Sequence, residues 1–226
     1  MFLGGFRSDM TGTKATYLEQ QAKAAGRAFI RFDYSGHGAS SGIFELGCVG
    51  DWAADARAVL ETLTQGPQIL VGSSMGGWIA LLLARAMPDR VAGLVGVAAA
   101  PDFMEDPIWS LLPPDQQAQL MAKGRIEMPS VMPTPDIITR RMIEDGRDQF
   151  VLRSALQLPM PVRLLHGTAD TDAPFEVGLR LLSHATGPDI RLSLVKGADH
   201  RFSTPDCLEM MGAAIADIAE RAHIHE

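Results

Sequence analysis

The sequence predicts a single α/β domain on a doubly wound, mostly parallel sheet, and three observations carry that prediction. Short apolar runs recur along the 226 residues, and a segment with apolar residues at three- and four-residue spacing follows each one. No composition shift or internal repeat divides the chain. Runs that are apolar at consecutive positions read as strands buried on both faces, as in a parallel sheet covered by helices. Strands are therefore expected at 27–34 (RAFIRFDY), 68–72 (QILVG), 91–100 (VAGLVGVAAA), 162–167 (VRLLHG) and 190–197 (IRLSLVKG). Amphipathic helices are expected at 13–25, 47–64, 75–87, 175–185 and 206–222. The ligand site of such a sheet lies outside the carboxyl ends of its strands, so functional residues should follow strands directly.

The interval 101–160 breaks this alternation. It is rich in proline and methionine, shows no clear strand, and reads as a mostly helical cap inserted into the single domain of residues 1–226. Met104, Trp109, Leu111 and Leu112 present more apolar surface than an excursion needs and are expected to roof a substrate pocket over the strand ends. Charge excludes one class of partner: 20 basic against 27 acidic residues give −7 with no basic stripe, so no nucleic acid is expected. Cys48 and Cys207 fit two structural thiols in a reducing compartment rather than a disulfide framework. The sequence shows no leader-like start and no apolar run of membrane-spanning length, so a soluble cytoplasmic protein is expected.

Chemistry is concentrated after the strands. Gly72-Ser73-Ser74-Met75-Gly76 fits G-x-S-x-G centred on Ser74 and lies between an apolar strand and the helical GWIALLLARAM. In such a nucleophile elbow the residues two before and two after the serine must be small. Gly72 and Gly76 meet that need for Ser74, whereas Val71 and Met75 fail it for Ser73. A serine hydroxyl needs a base and a group that orients the base. His200, in Gly197-Ala198-Asp199-His200, is the expected base, and Asp170, in Thr168-Ala169-Asp170-Thr171-Asp172, is the expected acid with Asp172 second. Activity should then decline on acidification through an imidazole pKa, ordinarily near ~6.5. The oxyanion hole is expected from the backbone N–H groups of Met75 and of Phe6 in Gly4-Gly5-Phe6-Arg7. His37, His166 and His184 read as structural, and His223 and His225 in the tail make a weak metal signal without further ligands, so no metal and no organic cofactor are expected.

Two other motifs fail on spacing. In Gly36-His37-Gly38-Ala39-Ser40-Ser41 the third glycine of a dinucleotide fingerprint is Ser41, and Gly12-Thr13-Lys14 lacks the adjacent Gly-Lys of a phosphate-cradling loop.

With GGF, DYSGHG, GSSMG, HGTADTDAP and GADH in order, the chain resembles the α/β-hydrolase family. Through MTGTK (10–14), RFDYSG (31–36), GPQILVGSSMGGW (66–78), RLLHG (163–167) and ADHR (198–201), it resembles in particular the branch of mitochondrial palmitoyl-protein thioesterase and acyl-glucuronide esterase. The resemblance covers nearly everything outside the cap. It implies esterase or thioesterase action on a small-molecule acyl substrate through Ser74, Asp170 and His200. Gly4-Gly5 stands where many relatives have His-Gly, and Ala173-Pro174 where Val-Pro is common; neither change removes a backbone donor. The family's usual first strands are absent, which would leave 27–34 as an exposed sheet edge. That edge is expected to be covered by a partner, as in a homodimer, or blunted by local irregularity. The rivals are a non-catalytic binding protein of the same fold and a lactone or peptide hydrolase using the same three residues.

Overall fold

The computed structural model describes residues 1–130 and 134–223; His225 lies outside them. A five-stranded sheet is built from β1 (Phe2–Leu3), β2 (Gln68–Ser73), β3 (Val91–Val97), β6 (Val162–Gly167) and β7 (Ile190–Val195), all parallel and arranged β1-β2-β3-β6-β7. Helices α1 (Thr13–Ala24), α2 (Val49–Leu63), α3 (Met75–Ala86), α6 (Phe175–His184) and α7 (Pro205–His223) connect or follow these strands.

Alternating side chains divide the strands between two cores. Leu70, Leu94 and Leu164 face a cluster with Trp52, Trp78 and Leu81 from α2 and α3, while Val71, Val95 and Leu165 face Leu18 of α1 and Met211 and Ile218 of α7. Ten of the twelve residues of α3 are buried, making it the most enclosed helix of the site's surroundings and a rigid support for the residue at its start. Each fully buried leucine there contributes roughly 1.5–3 kcal/mol.

Two expectations are corrected. Residues 27–34 form no strand and meet β1 through one backbone bond, Phe2 N–H to Ile30 O at 2.9 Å. The reason is geometric: β1 is two residues long and gives a neighbour too few rungs for a ladder. Local irregularity therefore occupies this edge. The cap also contains strands: β4 (Arg125–Met128) and β5 (Asp136–Thr139) pair antiparallel, with Ile126 opposite Ile138 and both buried. Four-residue strands are too short to show an alternation beside so much proline. The rest of the cap is a π-turn at Met104–Ile108, a 3₁₀ turn at Trp109–Leu111, α4 (Pro114–Lys123) and α5 (Arg140–Asp148). Its two ends are tied together by Asp102, fully buried at φ 59°, which accepts Val151 N–H, Leu152 N–H and the Arg153 guanidinium at 2.9, 3.1 and 2.6 Å.

Candidate active site

Ser74 occupies the single-residue turn between β2 and α3 with φ 56° and ψ −119°, a backbone conformation that L side chains rarely adopt. The turn is held from three sides: Ser74 N–H donates to Val97 O at 2.9 Å, and Ser74 O accepts Gly77 N–H at 2.9 Å and Ala100 N–H at 3.2 Å. The flanking glycines are explained atom by atom. A Cβ at Gly72 would stand 2.3 Å from Gly76 O, and one at Gly76 would stand 2.1 Å from Leu3 O and 2.6 Å from Gly4 O. These contacts are with backbone, so they cannot yield by a rotamer change. Gly76→Ala is therefore expected to lose about 3 kcal/mol or more of stability, measured as a drop in Tm together with loss of phosphonate labelling. A Gly76→Ala protein with wild-type Tm would show that β1 gives way instead.

His200, in the loop between β7 and α7, brings its Nε2 to 3.0 Å from Ser74 Oγ and its Nδ1 to 2.8 Å from Asp170 Oδ2. Beside a carboxylate Nδ1 carries the proton, which leaves Nε2 free to accept from the serine hydroxyl. Asp170 follows β6 and is buried. Its Oδ1 accepts the backbone N–H groups of Asp172 and Ala173 at 3.0 and 2.8 Å. His166, the penultimate residue of β6, adds a donor on the other oxygen: its Nε2 lies 2.7 Å from Ala173 O and 3.2 Å from Asp170 Oδ2. Because a carbonyl can only accept, His166 Nε2 must be the protonated nitrogen. Burial opposes the charged form of Asp170, but the hydrogen bonds from His166, His200 and Ala173 N–H outweigh it and hold the carboxyl well below the usual carboxylate range. Asp172, the second candidate acid, is exposed and serves Asp170 through its backbone. The sequence leaves His166 as a strand end; its spacing of four residues before Asp170 is the signal that could have found it.

Phe6, in the turn after β1, and Met75, the first residue of α3, flank Ser74. Gly5 lies so close that a Cβ there would be 3.4 Å from Ser74 Cβ, and among the described residues neither Phe6 N–H nor Met75 N–H has a protein acceptor. The Phe6 ring packs edge-on against Phe44 and Phe103, with centroids 4.9 and 5.7 Å away. The four expected pocket residues are placed differently from the sequence expectation. Met104 and Leu112 are core residues, Met104 sitting against Gly146 and Trp78. Trp109 carries the Arg147 guanidinium 4.8 Å over its ring, and Leu111 is 75 % exposed. A cleft of about 600 Å³, lined by Arg7, His37, Phe44, Arg125, Glu127 and Ile137 among others, includes none of the four and none of Ser74, Asp170 and His200.

A parallel sheet with hydroxyl, imidazole and carboxylate in line at its carboxyl end is an arrangement of known kind. Residues 13–125 match the model of the α/β hydrolase fold, and the chain belongs to the α/β-hydrolase family and is a hydrolase. It is 36% identical over 223 residues to the palmitoyl-protein thioesterase ABHD10, mitochondrial, of Rattus norvegicus, covering 98% of this chain and 75% of that protein. Among solved structures, the mouse α/β hydrolase domain-containing protein 10 superposes with a TM-score of 0.90 at 35% identity, covering 97% of this chain and 88% of that one. An Agrobacterium vitis S4 protein superposes at 0.93 with 43% identity, covering 96% and 86%. The mitochondrial name of the rat relative contradicts the cytoplasmic location expected above. Two buried free thiols and an acidic composition fit any reducing compartment and do not single out the cytosol. Among the described residues no helix is long and apolar enough to cross a membrane.

Proposed function

We propose that this hydrolase cleaves acyl thioesters and carboxylic esters through an acyl-serine intermediate on Ser74. The observation that carries the reading is the continuous path from Ser74 Oγ through His200 to Asp170, at 3.0 and 2.8 Å. Ser74 Oγ attacks the acyl carbonyl carbon as its proton passes to His200 Nε2, and the Asp170 carboxylate stabilises the imidazolium. The tetrahedral oxyanion is held by Phe6 N–H and Met75 N–H, aided by the positive end of α3. The bond to sulfur or oxygen then breaks and the leaving group takes the proton from His200. Water repeats the sequence in reverse, giving free acid and restoring Ser74. The names of the relatives, palmitoyl-protein thioesterase, support an acyl thioester as the substrate class.

A series of p-nitrophenyl esters and thioesters from two to sixteen carbons tests this. Each methylene that enters an apolar site adds up to about 0.8 kcal/mol, so kcat/KM should climb with chain length and then level off where the site ends. Absence of turnover across the series, together with no labelling by a fluorophosphonate, would make the chain a binding protein of hydrolase fold.

A further inference from the structure

The segment Met10-Thr11-Gly12-Thr13-Lys14 has had no part in the chemistry so far. It is firmly built: Asp9 Oδ1 accepts Thr11 N–H at 2.7 Å, Asp33 Oδ1 accepts Met10 N–H at 2.6 Å, and the Arg31 guanidinium donates to Met10 O at 2.7 Å. These bonds fix the chain that leads from Phe6 and Arg7 into α1. From the first turn of α1, Lys14 Nζ reaches 187 positions along the sequence and donates to the carbonyl oxygen of Arg201 at 2.5 Å.

Arg201 is the residue after His200. Its carbonyl also accepts Ser203 Oγ–H at 2.8 Å, and the next residue, Phe202, is wholly buried at φ 48° with its N–H on Asp199 Oδ1 at 3.1 Å. On the strand side the loop is held by Gly197 N–H on Thr168 Oγ1 at 3.0 Å and by Ala169 N–H on Ala198 O at 3.0 Å. Lys14 thus supplies an anchor from a different layer of the molecule, immediately beside the imidazole. A fixed carbonyl sets the plane of its peptide and constrains the backbone from which the neighbouring ring projects.

We propose that Lys14 is a positioning residue for His200, its ammonium fixing the backbone beside the imidazole and joining it to the segment that bears Phe6. This rests on the serine-hydrolase reading above. The ammonium is partly buried, and burial lowers its pKa to about 8, opposed by Asp199 and reinforced by Arg201, the two charged side chains facing it from the His200 loop. A folded-state pKa below that of free lysine means that the charged form costs the fold stability at neutral pH, a cost relieved progressively as pH rises from about 8 toward the free-lysine value of 10.5. A residue kept for stability would show the opposite sign.

The test uses the full chain with p-nitrophenyl butyrate, comparing wild type, Lys14→Met and Lys14→Arg in kcat, KM, Tm and pH profile. Lys14→Met should lower kcat by about tenfold, the effect of losing one charge-assisted hydrogen bond that orients the base, with KM within about twofold and Tm unchanged or raised. Wild-type kcat should fall on the alkaline side as Lys14 loses its proton near pH 8. That limb should be missing in Lys14→Met, and Lys14→Arg, whose guanidinium stays charged, should keep the rate and carry the limb beyond about pH 10. Wild-type kcat in Lys14→Met, a parallel loss of Tm and kcat, or an unmoved alkaline limb in Lys14→Arg would each overturn the proposal. Should Lys14→Met not fold, the Lys14→Arg profile decides alone. Failure of the underlying reading is separately visible, because Ser74→Ala would then still turn over the same ester.

Discussion

Replacing Ser74 with alanine is expected to lower kcat by about 10⁵–10⁶-fold, as removal of a serine nucleophile does where base and acid act as one unit with it. Labelling by a fluorophosphonate should vanish as well, while Ser73→Ala keeps most of both. Comparison with Ser74→Gly adds a second readout. Alanine keeps the backbone cost of φ 56° and ψ −119°, whereas glycine removes hydroxyl and strain together. Relief of such a conformation is worth on the order of 1–3 kcal/mol, so Ser74→Gly should be inactive and more stable than either wild type or Ser74→Ala. A scan of Tm across the three proteins checks this ordering. Equal Tm values would mean that the elbow holds no strain, and retained turnover in Ser74→Ala would remove the nucleophile assignment altogether.

Asp170→Asn should differ from Ser74→Ala by losing activity and stability at once. Four N–H donors converge on the Asp170 carboxylate: Asp172 and Ala173 backbone on Oδ1, His166 and His200 rings on Oδ2. An asparagine has one acceptor oxygen, so either orientation turns its NH₂ toward a pair of donors. With the imidazole held in the wrong tautomer kcat should fall by about 10⁴-fold, and each stranded buried donor should cost about 1–3 kcal/mol. The pH dependence has a defined sign. Because the folded-state pKa of Asp170 is lowered, the stability it confers is fully present above its unfolded value, about 3.9, and disappears as pH falls through the folded value. The Tm gap between wild type and Asp170→Asn should therefore hold from neutral pH down to about pH 4 and narrow below it. If Asp170→Asn kept more than about a tenth of wild-type kcat, the orienting role would have to move elsewhere.

The interior strands were legible because their physics is local: a strand buried on both faces is mostly apolar at consecutive positions, as β2, β3 and β6 are, whereas the edge strand β7 alternates and exposes Arg191 and Ser193. The relation of Ser74 to its glycines was legible for a related reason, since only small residues fit where Gly72 meets Gly76 O and Gly76 meets Leu3 O. What escaped depended on partners distant in sequence. Residues 27–34 have strand composition, yet whether they form one is decided by the length of β1. Leu111 and Met104 are equally apolar, yet one faces water and the other Trp78. The Lys14 contact spans 187 positions and is carried by a carbonyl, a group that every residue possesses.

The order of the sheet has a consequence for how the protein is made. Strands β1, β2, β3, β6 and β7 lie side by side in the order in which they leave the ribosome, so each new strand joins the same growing edge. After β3 ends at Val97, 64 residues of cap and linker must emerge before β6 begins at Val162. At roughly 5–20 residues per second this leaves the unpaired side of β3 (VAGLVGV) open for several seconds, and an uncovered apolar strand edge is a template for aggregation. The nascent chain is thus most vulnerable while its cap is being synthesised, and this is the interval in which a holding chaperone would matter most. On the mechanism proposed here it is also inert throughout, since Ser74 waits 126 residues for His200.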